Sequence, residues 1–249
     1  MAALQVAASP AQLLAGQDLI YGGRHSAAAL YFSELATQYP ADAAPRALHA
    51  SALIWQGEAE GNETFAADVV DSLLTAAVEL AARAVDTATA DADRVQALFW
   101  LGTAYGYRAR QAELRGGGSL WRASRDARAM HDALERALAL DSSCADCLLP
   151  LGLYDYAVAR SSTLARLIAR IIGLGGGNAE RGLDRVRRAG ELGTFTRVEA
   201  RWVYANMLLR EEPGAGARRE EARRTVADLA ARFPENLVFR RFLEPTGAP

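Results

Sequence analysis

The sequence predicts an all-α protein, an α-solenoid of about five helical hairpins stacked in a row. Three observations predict it. Ala, Leu and Arg dominate while Ile and Thr are scarce, and unbranched side chains lose little freedom in a helix. Apolar residues recur at helical spacing between short Gly, Pro and polar breaks. Small residues recur in successive apolar helices at Gly16, Ala50, Gly102, Gly152 and Ala205, with separations of 34, 52, 50 and 53 residues. A small residue recurring in this way marks repeated hairpins.

The first hairpin pairs Pro10–Tyr21 with Ser26–Tyr39, turned by Gly22-Gly23 and stopped by Pro40. The second pairs Pro45–Gln56 with a long helix over Phe65–Asp86. Gly57–Glu63 is expected as the loop between them, with Asn62 or Thr64 as the cap. A polar break over Asp86–Asp93 precedes the third hairpin. Its first helix holds Ala97–Tyr107 and continues to Arg115, where Gly116 ends it. Its second begins at Ser119 or Ser124 and reaches Leu140. The fourth pairs Ala145–Ala159 with Ala179–Leu192, capped by Asn178, across an insertion at 161–177. The fifth pairs Arg197–Arg210 with Arg219–Phe233, and Leu237–Leu243 is a final cap. The expected repeats are 9–42, 43–90, 93–144, 145–196 and 197–236, with a cap at 237–244, in one domain spanning 1–249.

The third hairpin carries the clearest signature. In ALFWLGTAYGY, Leu101, Gly102 and Tyr105 stand at the spacing of a tetratricopeptide repeat. The chain resembles that family over about residues 9–243. In the family, the small positions of the two helices of one repeat lie about 19 residues apart. Here Ala50 to Ala84 is 34, Gly102 to Ala137 is 35 and Gly152 to Ala189 is 37, whereas the junction from Ala137 to Gly152 is 15. The extra residues therefore fall between the two helices of one repeat, and the lengthened hairpins should stand side by side as a thickened wall. Gly152–Tyr156 (GLYDY), the insertion, and AERGLDRVRRAGEL from Ala179 are together similar to bacterial relatives of the inclusion-body-clearance family. That resemblance implies an adaptor and carries over no catalytic residue.

The net charge of −2 gives no basic field for nucleic acid. All 28 basic side chains are Arg, which removes Schiff-base and P-loop lysine chemistry. No cofactor, metal or catalytic set is expected: His25, His49 and His131 lie in different repeats, and no Ser/His/Asp order or carboxylate pair stands out. No apolar run reaches the ~20 residues of a membrane span, and the first ten residues lack a signal-peptide pattern. The expected compartment is the bacterial cytoplasm or periplasm.

Offsets from the small positions place Gln17 and Tyr21, Ser51, Ile54 and Trp55, Phe99, Thr103 and Tyr107 on the concave face. They add Leu149, Leu153 and Tyr156, then Trp202, Asn206 and Arg210. From these, Tyr21, Trp55, Phe99, Tyr107, Tyr156, Trp202 and Asn206 are the candidate partner-binding residues, because aromatics dominate interface hot spots. The principal expectation is a non-enzymatic scaffold binding a peptide or protein in an aromatic groove. The alternatives are aromatic core packing, a small-molecule or lipid pocket under 161–177, and peripheral membrane assembly through the amphipathic stretch Leu164–Ile172. A carboxylate clamp is not expected, since Arg210 is the one basic groove position. Cys144 and Cys147 form a C-x-x-C at a helix start, with redox chemistry or a disulfide set against the favoured reading of two small buried residues. The Arg-rich runs at 185–188 and 218–224 read as solvated helix faces.

Overall fold

The computed structural model describes residues 7–117, 119–161, 176–211 and 216–244. Among them are eleven α-helices: α1 (Pro10–Tyr21), α2 (His25–Gln38), α3 (Ala44–Glu60), α4 (Ala67–Thr87), α5 (Asp91–Arg115), α6 (Ser119–Leu140), α7 (Leu148–Arg160), α8 (Ala179–Leu192), α9 (Arg197–Glu211), α10 (Ala217–Arg232) and α11 (Leu237–Leu243). A one-turn 3₁₀ helix, Ala145–Cys147, precedes α7. The helices pack as the hairpins α1–α2, α3–α4, α5–α6, α7–α8 and α9–α10, and α11 packs on α10 and α3.

The small positions do what their spacing implies. A side chain at Gly102 would sit 2.5 Å from Leu134, and one at Gly152 would sit 2.7 Å from Val186. A side chain at Gly16 would overlap the Phe32 ring. Each close approach lets the second helix of a hairpin lie directly on the first.

The extra length enters mostly as helix. α4 has 21 residues, α5 has 25 and α6 has 22. Their extended ends are tied together by Arg115 and Arg122, which both pair with Asp71, at 3.5 and 3.3 Å. This is the expected wall at the second and third hairpins. Of the insertion at 161–177, residues 162–175, which include Leu164–Ile172, lie outside the described residues.

Three local expectations need correction. α3 runs on through Gly57 to Glu60, so the loop starts at Gly61, whose φ of 68° ends the helix. Neither Asn62 nor Thr64 caps α4; Ala66 stands at its start, while the Asn62 side chain accepts bonds from Thr64 within the loop. The break before the third hairpin is shorter than expected, because Asp91 and Asp93 already form the first turn of α5, where acidic side chains favour the helix dipole. The expected Asn178 cap is present, accepting from the Arg181 amide at 2.9 Å.

The decisive feature is that the two ends of the array meet. Gln17 in α1 donates to the Phe195 carbonyl just before α9 at 2.8 Å. Asn236, before α11, donates to the Tyr21 carbonyl at 2.8 Å. Phe239 of α11 touches the rings of Trp55, Trp202 and Phe233 at 5.8, 5.5 and 6.4 Å between centroids. The concave face of the solenoid thus becomes the inside of a closed turn, and α11 covers part of it.

Candidate functional site

Closure divides the expected aromatic lining into two groups. Tyr21, Trp55, Phe99 and Tyr156 are buried, at 2%, 5%, 3% and 6% exposure. Tyr21 packs edge-on against Trp55, and Phe99 packs on Trp100 and Phe195. Tyr107, Trp202 and Asn206 are half-buried. Trp202 leans on Phe239 and Phe242 of the C-terminal helix, and Asn206 donates back to the Trp202 carbonyl at 2.9 Å.

Five of the seven nevertheless line one cavity. Trp55, Tyr107, Tyr156, Trp202 and Asn206 surround a space of about 290 Å³ between α3, α5, α7 and α9. Ile54, Leu153, Val203 and Met207 complete its apolar wall. Tyr21 and Phe99 do not line it. Tyr21 lines a second space of about 240 Å³ at the seam of α1 with α9, and among the described residues its hydroxyl has no hydrogen-bond partner. Burial, and then the Glu199, Asp146 and Asp18 charges, hold that hydroxyl well above its ordinary pKa.

The acidic and basic side chains of the first cavity are Glu58, Glu63, Arg110, Glu199 and Arg210. The Tyr107 hydroxyl donates to Glu199 at 2.5 Å and lies 3.4 Å from the Ser51 hydroxyl. Burial pushes the Glu199 carboxyl up from the ordinary carboxylate range, against the pull of the Tyr107 hydrogen bond and the Arg110 charge. Burial, and then the Glu199 charge, raise Tyr107 well above its usual value, against the pull of the Ser51 hydrogen bond. Burial and the neighbouring Glu211 carboxylate raise Tyr156 to about 12. Arg110 is 3.4 Å from Glu58. Among the described residues Arg210 forms no ion pair, and it stands exposed at the rim. The cavity is therefore an aromatic chamber with a carboxyl held toward its protonated form in the wall and a cation at its mouth.

Sequence reasoning missed Glu199 and Arg110. Both sit on the stripes already read, Glu199 three residues before Trp202 and Arg110 three after Tyr107. One further turn along each helix would have reached them.

The most distinctive sequence motif proves to be a packing unit. Asp155 of GLYDY is 2% exposed and pairs with Arg181 at 2.5 Å and Arg185 at 3.0 Å. Arg185 is thus no solvated side chain, whereas Arg187 makes the expected exposed pairs with Asp184 and Glu191. Cys144 and Cys147 form a disulfide, not two free buried thiols. Among the described residues, no group of three or more His, Cys, Asp or Glu side chains is placed to hold a metal ion. None of the described helices is long and apolar enough to cross a membrane.

No protein-family model and no curated protein matches the chain. A solved structure does: a thermophilic tetratricopeptide repeat protein of Thermus thermophilus. It is 18% identical, with 93% of this chain and 95% of that chain covered, at a TM-score of 0.51. None of these comparisons shows the expected similarity to the inclusion-body-clearance relatives; the fold is that of a tetratricopeptide repeat protein.

Proposed function

We propose that the chain is a non-enzymatic binding scaffold that receives a short segment of a partner protein in the chamber between α3, α5, α7 and α9. The observation that carries this reading is the convergence of Trp55, Tyr107, Tyr156, Trp202 and Asn206 on one cavity. Tetratricopeptide folds commonly present their inner face to a partner, and aromatic anchors in a pocket supply most interface energy. The cavity of about 290 Å³ suits one bulky side chain rather than an extended peptide, since pockets for drug-sized ligands start at roughly 300 Å³. Arg210 at the rim suits a carboxylate next to that side chain.

The test is a photo-reactive amino acid at Asn206, compared with one at Leu30, which is 62% exposed on the outer helix α2. A partner captured from position 206 and not from position 30 is expected. Asn206→Trp, which fills the chamber, should abolish binding of that partner while helical circular dichroism is retained. Equal capture at both positions, or binding that survives the filled chamber, would overturn the reading.

A small apolar ligand in the same chamber is the second reading, favoured by the size of the space and by the Glu199 carboxyl in its wall. Native mass spectrometry of the purified chain distinguishes it: a bound mass lost in Asn206→Trp supports a small ligand.

A further inference from the structure

The C-x-x-C pair stands outside the chamber, yet it is wired to α9, the helix that supplies Glu199, Trp202, Asn206 and Arg210 to the chamber's wall. Cys144 and Cys147 are joined by a disulfide across the 3₁₀ turn Ala145–Cys147. Asp146 lies inside that turn. Its Oδ1 accepts from the Phe195 amide at 2.9 Å, the Thr196 amide at 2.9 Å and the Thr196 hydroxyl at 2.8 Å. These groups immediately precede α9, which carries Glu199, Trp202, Asn206 and Arg210. Phe195 is itself a junction: its ring packs on Phe99 and Trp100, and its carbonyl takes the Gln17 bond that joins the first hairpin to the fifth. Gly193 is pressed against the same clasp, since a side chain there would lie 2.9 Å from Asp146 Oδ1.

The two sulfurs are also unequal. Cys144 is half-buried, whereas Cys147 is wholly buried and is the residue that opens α7. An external thiolate therefore reaches Cys144 Sγ first. The leaving sulfur is then that of Cys147, the wholly buried partner.

We propose that Cys144–Cys147 is a thiol-exchange site whose oxidation state sets how firmly Asp146 holds the start of α9, and with it the chamber. The reductant is a dithiol. One of its thiolates attacks Cys144 Sγ, the bond between the two cysteine sulfurs breaks, and its electron pair leaves on Cys147. The second thiol of the reductant then attacks its own sulfur in the mixed disulfide and expels the Cys144 thiolate. The pair gains two electrons and two protons, and the dithiol becomes a disulfide. Without the covalent tie, the turn is left with backbone bonds from Cys144 to Asp141, from Cys147 to Cys144 and from Leu148 to Ala145. Asp146 then loses its fixed position.

The folded chain is equilibrated in graded mixtures of reduced and oxidised dithiothreitol, and free thiols are counted by alkylation and intact mass. One reversible transition that adds two alkyl groups to the folded protein is expected. Hydrogen exchange at the Phe195 and Thr196 amides should then quicken by about tenfold on reduction, with Phe32 in α2 unchanged. In Asp146→Ala the two amides should exchange fast in both states and ignore the dithiol. Cys144→Ser should reproduce the reduced pattern if the reduced chain itself cannot be held stable. A pair that stays oxidised until the protein unfolds would overturn the proposal. So would a reduced chain whose Phe195 and Thr196 amides remain as protected as in the disulfide form.

Discussion

The Asn236 side-chain amide donates a 2.8 Å hydrogen bond to the main-chain carbonyl of Tyr21, across 215 positions of sequence. Asn236 is fully buried, and its side-chain oxygen also caps α11 by accepting from the Val238 and Phe239 amides at 2.9 and 3.3 Å. One side chain thus starts the last helix and ties it to the first hairpin. Asn236→Ala removes three bonds and leaves the Tyr21 carbonyl buried without this partner. The expected loss is about 2–4 kcal/mol, read as a lower urea midpoint with an unchanged slope. A loss below about 0.5 kcal/mol would show that the ends are held without it.

Asp155 is buried between Arg181 and Arg185, so its removal leaves two guanidinium groups facing an emptied site. Arg181 is half-exposed and can turn to water, which trims the cost of a broken buried pair to about 2–3 kcal/mol for Asp155→Ala. Arg181→Ala alone should cost less, because Arg185 still neutralises Asp155. Thermal unfolding of the two variants checks the order.

Glu199 gives the protein a specific pH dependence. Its folded pKa is raised above the ordinary value of 4.5, chiefly by burial. The folded state therefore binds the proton more tightly than the unfolded chain. The associated stability is fully present below 4.5 and is lost as pH rises through the folded pKa. Glu199→Gln, which cannot ionise, should flatten the stability profile above pH 4.5. It should equal or exceed the parent chain at neutral pH. Urea midpoints measured across that range decide the matter, and a parent and variant with parallel profiles would refute it.

Gly102 stands where a methyl group would lie 2.5 Å from Leu134, whereas one at Gly176 would meet nothing within 4 Å. Gly102→Ala should cost about 1–3 kcal/mol through overpacking, despite the better helix propensity of Ala. Gly176→Ala should be close to neutral. Equal effects, read from thermal unfolding, would mean that α5 and α6 can separate without loss.

Much of the local order was legible in the sequence. The hairpin order, the small positions at Gly16, Gly102 and Gly152, and the Asn178 cap all follow from short-range chemistry: helical period, side-chain size and capping bonds. The lining was legible in part. Helical spacing showed that Trp55, Tyr107, Tyr156, Trp202 and Asn206 share the inner face, because each helix repeats its face every three to four residues.

Tertiary structure alone decided what that face meets. Each hairpin turns slightly relative to the last, and the sum of those rotations determines whether the inner face stays open or closes. No single repeat encodes the sum. Here it brings Gln17 to Phe195, Tyr21 to Asn236 and Tyr107 to Glu199. It buries Tyr21 and Phe99 away from the chamber and sets Glu199 in its wall. It also turns Asp146, a residue between two cysteines with no signature of its own, into the group that holds the start of α9. The sequence by itself determined the helices and the faces they bury. The contacts that close the array, from Tyr107 to Glu199, Gln17 to Phe195 and Tyr21 to Asn236, join residues 92 to 215 positions apart, and such pairs leave no periodic trace along the chain.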